Sequence, residues 1–197
     1  MTPQTLRRRL RRIGASLREL EALDANREVF GADTHQYRRI EAVDETDLAR
    51  WEKRQGVTLS EEYRAFIVQL FAGGPGPGYG LLPLDVREKK FASLGRPFPW
   101  GDDEALHALA QRRKELKKGP FCWFGYEFER YPDGCLTLND YGCAWNGELV
   151  LTGPQRGRVW YVGDNAFPLA HRWRPTGFLD WYQDWIDESL AELRAKA

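Results

Sequence analysis

The sequence predicts an α+β domain in which helices pack on a mainly antiparallel sheet, with a meander in the C-terminal half and an extra helix at the N-terminus. Three short β-type runs between residues 134 and 164 are separated by turns of Gly, Asn, Asp and Pro. Such short turns connect antiparallel neighbours, because a parallel crossover needs about a dozen residues or more. One strongly amphipathic helix, with the sequence TGFLDWYQDWIDESL, follows these runs and can cover one face of the sheet.

The length and composition indicate one self-contained domain. The chain has 197 residues, which we divide into an N-terminal amphipathic helix over residues 1–30 and a single α+β domain over residues 31–197. Basic and acidic residues balance at 29 each, whereas a general nucleic-acid binder needs an excess of positive charge. No apolar run is long enough to cross a membrane, and the three cysteines are too sparse for a disulfide scaffold. We therefore expect a cytoplasmic protein with neither nucleic-acid nor membrane partners.

Residues 1–30 show the pattern of an amphipathic helix. Thr2 can cap this helix, Pro3 suits its first position, and apolar residues recur at spacings of three and four: Leu6, Leu10, Ile13, Leu17 and Leu20. Arginines fill the other positions of the first turns, so the helix could touch a membrane or an acidic partner. The alternative, which we favour, is a helix that lies on its own domain or pairs with a second copy to form a homodimer.

Two further helices are predicted before residue 72. The first covers residues 46–55 and stops at Gly56, and the second begins at Ser60, whose hydroxyl can cap it. The second helix carries a core-facing stripe, which consists of Tyr63, Phe66, Ile67, Leu70 and Phe71. The glycine- and proline-rich residues 73–80 follow a helix and lead into a predicted strand over residues 79–84. This context favours a tight turn over a phosphate-binding loop, which would follow a strand and open a helix.

The second half of the chain is predicted to hold a surface helix, a half-buried strand, the meander and a final helix. Residues 104–117 show a helical pattern, and residues 121–131 partly alternate aromatic with charged side chains, as a half-buried strand does. The meander strands lie near residues 135–138, 143–151 and 158–162. Thr176 can cap the final helix, whose broad apolar face consists of Phe178, Trp181, Tyr182, Trp185, Ile186, Leu190 and Leu193.

No cluster of residues in the sequence predicts a catalytic site, a bound metal or a cofactor. His35, His107 and His171 stand far apart, with no Cys, His or carboxylate at metal-ligand spacing. Cys143 and His171 could still meet in space as a nucleophilic pair. The simpler interpretation of Cys143 is a small buried residue in a strand. We therefore expect no bound metal and no activity that depends on Cys122, Cys135 or Cys143.

Aromatic residues are the other unusual feature of the chain, which contains eight tryptophans. The strand predicted near residues 158–162 is apolar on both faces, and residues 121–131 combine aromatic rings with carboxylates that could meet a basic partner. Trp and Tyr are among the side chains that most often anchor interfaces. The predicted partner contacts are Trp123, Tyr126, Glu127, Glu129, Trp145 and Trp160. The alternative is that these rings fill the second face of the sheet.

Three passages resemble the SUKH superfamily, which holds fungal cell-wall-assembly regulators of the Smi/Knr type and many bacterial immunity proteins. The passages are EEYRAFIVQLFAGGPGPGYGLLPL, the Leu-Val-x-x-Gly-Pro-x-x-Gly-x-Val-Trp segment from Leu149 to Trp160, and FLDWYQDWIDESL with its Trp-Tyr-x-x-Trp core. The resemblance covers roughly residues 45–84 and 134–190. Ala72 stands where the family often has Asn or Gly, and neither residues 85–132 nor the N-terminal helix align.

The resemblance implies an α+β domain with a mainly antiparallel sheet and no enzymatic activity. It further implies a cytoplasmic immunity protein that binds a cognate toxin domain, often a nuclease, from a bacterial contact-dependent or polymorphic toxin system. A second function that it implies is a non-enzymatic regulatory scaffold that binds cellular proteins, like the fungal members. A hydrolase with a spatially assembled site is the third hypothesis, and a pocket that collects a Cys or Asp with a His would favour it.

Overall fold

The structure, a computed structural model, describes residues 1–85, 93–99, 133–143, 145–162 and 176–196. Within these ranges the helices are α1 (Pro3–Leu23), α2 (Ala32–His35), α3 (Glu45–Gln55), α4 (Glu61–Gln69) and α5 (Phe178–Lys196). The strands are β1 (Cys135–Asp140), β2 (Asn146–Val150), β3 (Arg158–Val162) and β4 (Thr176–Gly177). The helix predicted over residues 104–117 and the strand predicted over residues 121–131 lie outside the described residues.

The described strands form one sheet in the order β1-β2-β3-β4, and each strand is antiparallel to the next. Leu149 of β2 pairs with Leu136 on one side and Val159 on the other. α5 packs against β3 and β4, and its apolar residues share a core with those of the sheet. The predicted α+β class and the C-terminal meander are therefore confirmed.

Local capping signals set the boundaries of the N-terminal helices. The Thr2 hydroxyl accepts a hydrogen bond from the backbone N–H of Thr5, with 3.2 Å between the two atoms, and the Ser60 hydroxyl does the same for Tyr63. Gly56 ends α3 in the left-handed conformation, at φ 71°. These caps confirm the predicted end of α3 at Gly56 and the predicted start of α4 at Ser60. α4 ends at Gln69, so the predicted stripe residues Leu70 and Phe71 lie beyond it. The first helix ends at Leu23, well before the predicted residue 30.

α1 belongs to the same hydrophobic core as the rest of the described chain. Its stripe of Leu10, Ile13, Leu17 and Leu20 is buried together with residues of α4 and α5. Charged side chains reinforce the contact with α5, because Arg9 pairs with Asp180 and Arg12 pairs with Asp187. The apolar stripe of α1 therefore faces its own chain, and the homodimer through this helix stays a prediction. None of the described helices combines the length and the apolar character needed to span a membrane.

The strand predicted over residues 79–84 was wrong. Leu81 instead makes single bridges, to Gly74 within the glycine-rich turn and to Asn139 on β1. The backbone of Leu82 continues this contact for one residue by donating to the Leu138 carbonyl, with 2.7 Å between the two atoms. Pro83 has no N–H to extend the ladder, so pairing stops there. The turn itself is tight and mostly buried, as its composition predicted.

The second face of the sheet carries a smaller hydrophobic cluster, which we call the second-face cluster. It consists of Phe98, Cys135, Val150, Trp160 and Val162. Side chains alternate across a strand, so residues of β2 and β3 that do not face the helices point to this side. Glu148, which pairs with Trp160 across the sheet, lies on the same face. The second face is therefore apolar around the Glu148 carboxyl group in the described part of the chain.

Candidate functional site

A groove of about 420 Å³ runs along α5 where the helix meets the sheet and the loop before α2. Five aromatic residues line it: Phe30, Tyr141, Tyr161, Trp181 and Trp185. Three carboxylates line it as well: Asp184, Glu188 and Glu192. We call this feature, defined by these eight residues, the aromatic–acidic groove.

Helical spacing places one wall of the groove on α5. Trp181, Asp184, Trp185, Glu188 and Glu192 follow one another at intervals of three, one, three and four residues, so they lie along one side of the helix. A different part of the α5 surface, which includes Asp180 and Asp187, contacts α1. The apolar face of α5 is therefore buried in the core, and a mixed aromatic and acidic stripe of the helix lines the groove.

The floor of the groove is held by hydrogen bonds between aromatic side chains. The Trp181 indole N–H donates to the Tyr161 hydroxyl, with 2.9 Å between the two atoms, and the Tyr161 and Tyr141 hydroxyls are 3.0 Å apart. Burial raises the pKa of both tyrosines above the usual range, so both hydroxyls remain neutral. The polar ends of these rings are thus satisfied, and the rings form a fixed apolar surface.

Phe30 forms an exposed lip of the groove. Its side chain is 58% exposed, and it contacts Tyr79, which is 42% exposed, with 5.2 Å between the ring centroids. Gly31, at φ 79°, lets the chain turn directly after Phe30, and a Cβ there would lie 2.0 Å from the Gly78 carbonyl oxygen. Two large exposed rings in contact are unusual on the surface of a globular protein and are typical of interaction sites.

The carboxylates of α5 fall into two sets. Asp180 and Asp187 face α1 and form ion pairs with its arginines. Asp184, Glu188 and Glu192 face the groove, and none of them forms an ion pair with any residue that the structure describes. Partial burial, with repulsion from Asp180 and Asp187, raises the pKa of Asp184. Among the described residues, the groove therefore concentrates negative charge without a counter-ion beside an aromatic floor.

The predicted partner contacts fall partly outside the described residues. Trp123, Tyr126, Glu127 and Glu129 belong to residues 100–132, which the structure does not describe. Trp145 is half-buried in the turn before β2, where its carbonyl accepts from the backbone N–H of the groove residue Tyr141. Trp160 lies in the second-face cluster, 3% exposed and in contact with Phe98. A partner could reach the Trp160 ring only if that cluster opened.

One feature of the sequence does point to the groove. Asp184, Glu188 and Glu192 recur every four residues on the final helix, which predicts a continuous acidic stripe. An acidic stripe on a helix is usually a solvated face, so the spacing alone did not indicate a site. Phe30 and Tyr141 come from segments more than 100 residues apart in the chain, and no local pattern links them to α5.

Two of the three cysteines, Cys135 and Cys143, lie in the part of the chain that the structure describes. Cys143 is exposed in the turn after β1, while its hypothetical partner His171 lies outside the described residues. Cys135 is buried in the second-face cluster, and burial raises the pKa of its thiol far above the usual range. Among the residues that the structure describes, no three His, Cys, Asp or Glu side chains come together as metal ligands would.

Sequence comparisons give no relative from which a site could be transferred. No protein-family model matches the chain, and no curated protein matches it. The groove must therefore be interpreted from its own chemistry. Fixed rings, an exposed aromatic lip and three carboxylates without ion-pair partners in the described structure suit a ligand that is both cationic and able to pack on aromatic surface.

Proposed function

We propose that this protein is an immunity protein that binds and neutralises a cognate bacterial toxin domain, and that the aromatic–acidic groove is the centre of the contact. The observation that carries the proposal is the set of three groove carboxylates, which form no ion pair with the described residues although two others on the same helix do. The resemblance to the SUKH superfamily supports the same class of function. The toxin that fits this chemistry best is a basic nuclease.

Nucleases bind phosphates with Lys and Arg, so their active-site surfaces are positively charged. A negatively charged groove is attracted to such a surface, which speeds association and covers the cations that substrate needs. The aromatic floor and Phe30 supply the apolar anchors that dominate binding energy in interfaces. Stable complexes bury about 1,600 Å² in total, so the groove is the anchor of a larger contact surface.

The proposal predicts that an adjacent gene encodes the toxin, and the experiment begins with the product of the adjacent upstream gene. Purified protein is tested for binding to that toxin domain and for protection of cells that express it. We expect Glu188→Gln to weaken binding about tenfold or more, chiefly through slower association at low salt. Asp187→Asn is the matched control, because it removes the same charge from the same helix on the side that faces α1. We expect this control to bind nearly as the wild type does.

Two results would contradict the proposal. The first is an absence of binding and of protection against the neighbouring toxin. The second is co-purification of cellular proteins through the groove without any toxin neutralisation, which would favour the regulatory scaffold that the resemblance also implies. Equal effects of Glu188→Gln and Asp187→Asn on toxin binding would show that the groove is not the centre of the contact. The proposed immunity function would still stand.

A further inference from the structure

Asp184 and Glu188 are one helical turn apart on α5, and Trp185 lies between them in the sequence on the same side of the helix. Trp181 and Tyr161 form the floor below, and Phe30 forms the lip of the groove. Two exposed carboxylates beside the exposed Phe30 ring and the half-buried Trp185 ring make a site with two kinds of attraction at once. One is charge and the other is contact with the flat face of a ring.

We infer that the groove binds the guanidinium group of an arginine that the partner presents, in preference to the ammonium group of a lysine. This inference rests on the proposed function, because it names the chemistry by which the partner is recognised. Asp184 and Glu188 accept hydrogen bonds from the guanidinium edge, and the aromatic rings pack against its planar face. Glu192 extends the negative charge along the groove and favours a partner segment with further basic residues.

Arginine suits this arrangement for three physical reasons. Its guanidinium is planar and presents five donors in a fixed fork, which matches neighbouring carboxylates. It is more weakly hydrated than an ammonium group, so its transfer into a partly apolar groove costs less. It also stacks on aromatic faces more readily than lysine does. A lysine ammonium would satisfy the charges but gain little from the rings.

Repulsion between carboxylates one helical turn apart on α5 also favours the binding of a cation in the groove. Carboxylates at positions i and i+4 repel each other and destabilise a helix slightly. Asp180 and Asp187 escape this cost through Arg9 and Arg12. The three groove carboxylates have no such counter-ion among the described residues. A guanidinium from the partner would supply one, and the repulsion would be relieved in the complex.

The test uses the full chain and two blocked peptides, N-acetyl tri-arginine amide and N-acetyl tri-lysine amide, titrated at low ionic strength. The reporters are the NMR signals of the Trp181 indole N–H, which contacts Tyr161 on the groove floor, and of the Asp184 and Glu188 amides. We expect the arginine peptide to bind about tenfold more tightly than the lysine peptide. Glu188→Gln should reduce the arginine affinity severalfold, whereas Asp187→Asn should not.

A second variant isolates the contribution of the rings. Phe30 is exposed, so Phe30→Ala should fold normally, and we expect it to reduce arginine binding while lysine binding changes little. Equal affinity for both peptides, or equal loss in Glu188→Gln and Asp187→Asn, would overturn the inference. Selective arginine binding would support it even if the neighbouring toxin were not neutralised. Toxin neutralisation that depends on Glu188 without any preference for arginine would overturn it and leave the proposed function intact.

Discussion

The Glu62 carboxylate accepts a hydrogen bond from the backbone N–H of Leu179, with 3.0 Å between the two atoms. Leu179 is in the first turn of α5, where backbone N–H groups have no partner within the helix. The other carboxylate oxygen of Glu62 accepts from Arg9 at 3.1 Å. One side chain of α4 therefore caps α5 and connects it to α1. Thr176, the predicted cap, lies in β4 and pairs with Val159, so that prediction was wrong.

Removal of this cap should destabilise the fold. We expect Glu62→Ala to lower the free energy of unfolding by about 1–2 kcal/mol, because it leaves the Leu179 N–H without its acceptor and breaks the pair with Arg9. Urea denaturation measures the change. Glu61→Ala is the control, since Glu61 is an exposed acid in the same first turn, and we expect a loss below about 1 kcal/mol there. Equal losses would show that the cap is unimportant.

Alanine substitutions at Gly56 and Gly78 distinguish the cost of a strained backbone from the cost of a steric clash. Gly78 and Gly56 both have positive φ, at 64° and 71°. A Cβ on Gly78 would lie 2.2 Å from the Asp140 carbonyl oxygen, whereas a Cβ on Gly56 would meet nothing within 4 Å. We expect Gly56→Ala to cost about 1 kcal/mol and Gly78→Ala about 3 kcal/mol or more, measured by chemical denaturation. Similar costs at the two positions would contradict the crowding argument.

The elements that the sequence predicted well are those with local physical causes. Ser60 caps α4 and Gly56 ends α3 because hydroxyls and left-handed glycines act on the nearest backbone groups. The meander followed from turns too short for any crossover. The broad apolar face of α5 likewise predicted its burial, since a helix with such a face must cover a core.

The features that the sequence did not predict depend on distant segments. Leu81 is strand-like in sequence, but its neighbours in space are Gly74 and Asn139, and the turn around it allows only single bridges. Phe30, Tyr141 and Trp185 all line the groove, and they come together only once the sheet and α5 have packed. Tertiary structure decides such arrangements, and periodicity within one element carries no information about them.

His35 provides a prediction about acid stability. The side chain is 7% exposed, and its Nδ1 accepts a hydrogen bond from the backbone N–H of Tyr37 at 3.1 Å. Burial lowers the pKa of His35 below 6.5, although Asp24 and Asp33 partly oppose the shift. The unfolded chain therefore takes up a proton near pH 6.5 that the folded chain resists, and the stabilising effect of neutral His35 is lost as the pH falls below that value.

His35→Asn tests this prediction, since Asn cannot titrate but can still offer an acceptor near the Tyr37 N–H. We expect the unfolding free energy of the wild type to fall more steeply than that of the variant as the pH is lowered below 6.5. Denaturant titrations at a series of pH values measure both slopes. Parallel curves for the two proteins would show that His35 has no abnormal pKa.

The contribution of Glu148 to the free energy of unfolding should change with pH in the opposite direction to that of His35. It is fully buried on the second face of the sheet, and one carboxyl oxygen accepts a hydrogen bond from the Thr137 hydroxyl at 2.8 Å. Burial raises the pKa of Glu148 to about 7, against 4.5 for an ordinary Glu, while the bonds from Thr137 and Cys135 limit the shift. The folded protein therefore keeps a proton that the unfolded chain releases near pH 4.5.

It follows that the contribution of Glu148 to stability is most favourable at acidic pH and declines as the pH rises from 4.5 to about 7. A shift of this size corresponds to roughly 3 kcal/mol, because each pH unit is worth about 1.4 kcal/mol. Glu148→Gln removes the titration and keeps the shape, so we expect its stability relative to the wild type to improve by up to that amount between acidic and alkaline pH. Denaturation of both proteins across this range provides the measurement. A constant difference would show that Glu148 titrates normally, and a variant that loses stability relative to the wild type as the pH rises would mean that ionised Glu148 stabilises the fold.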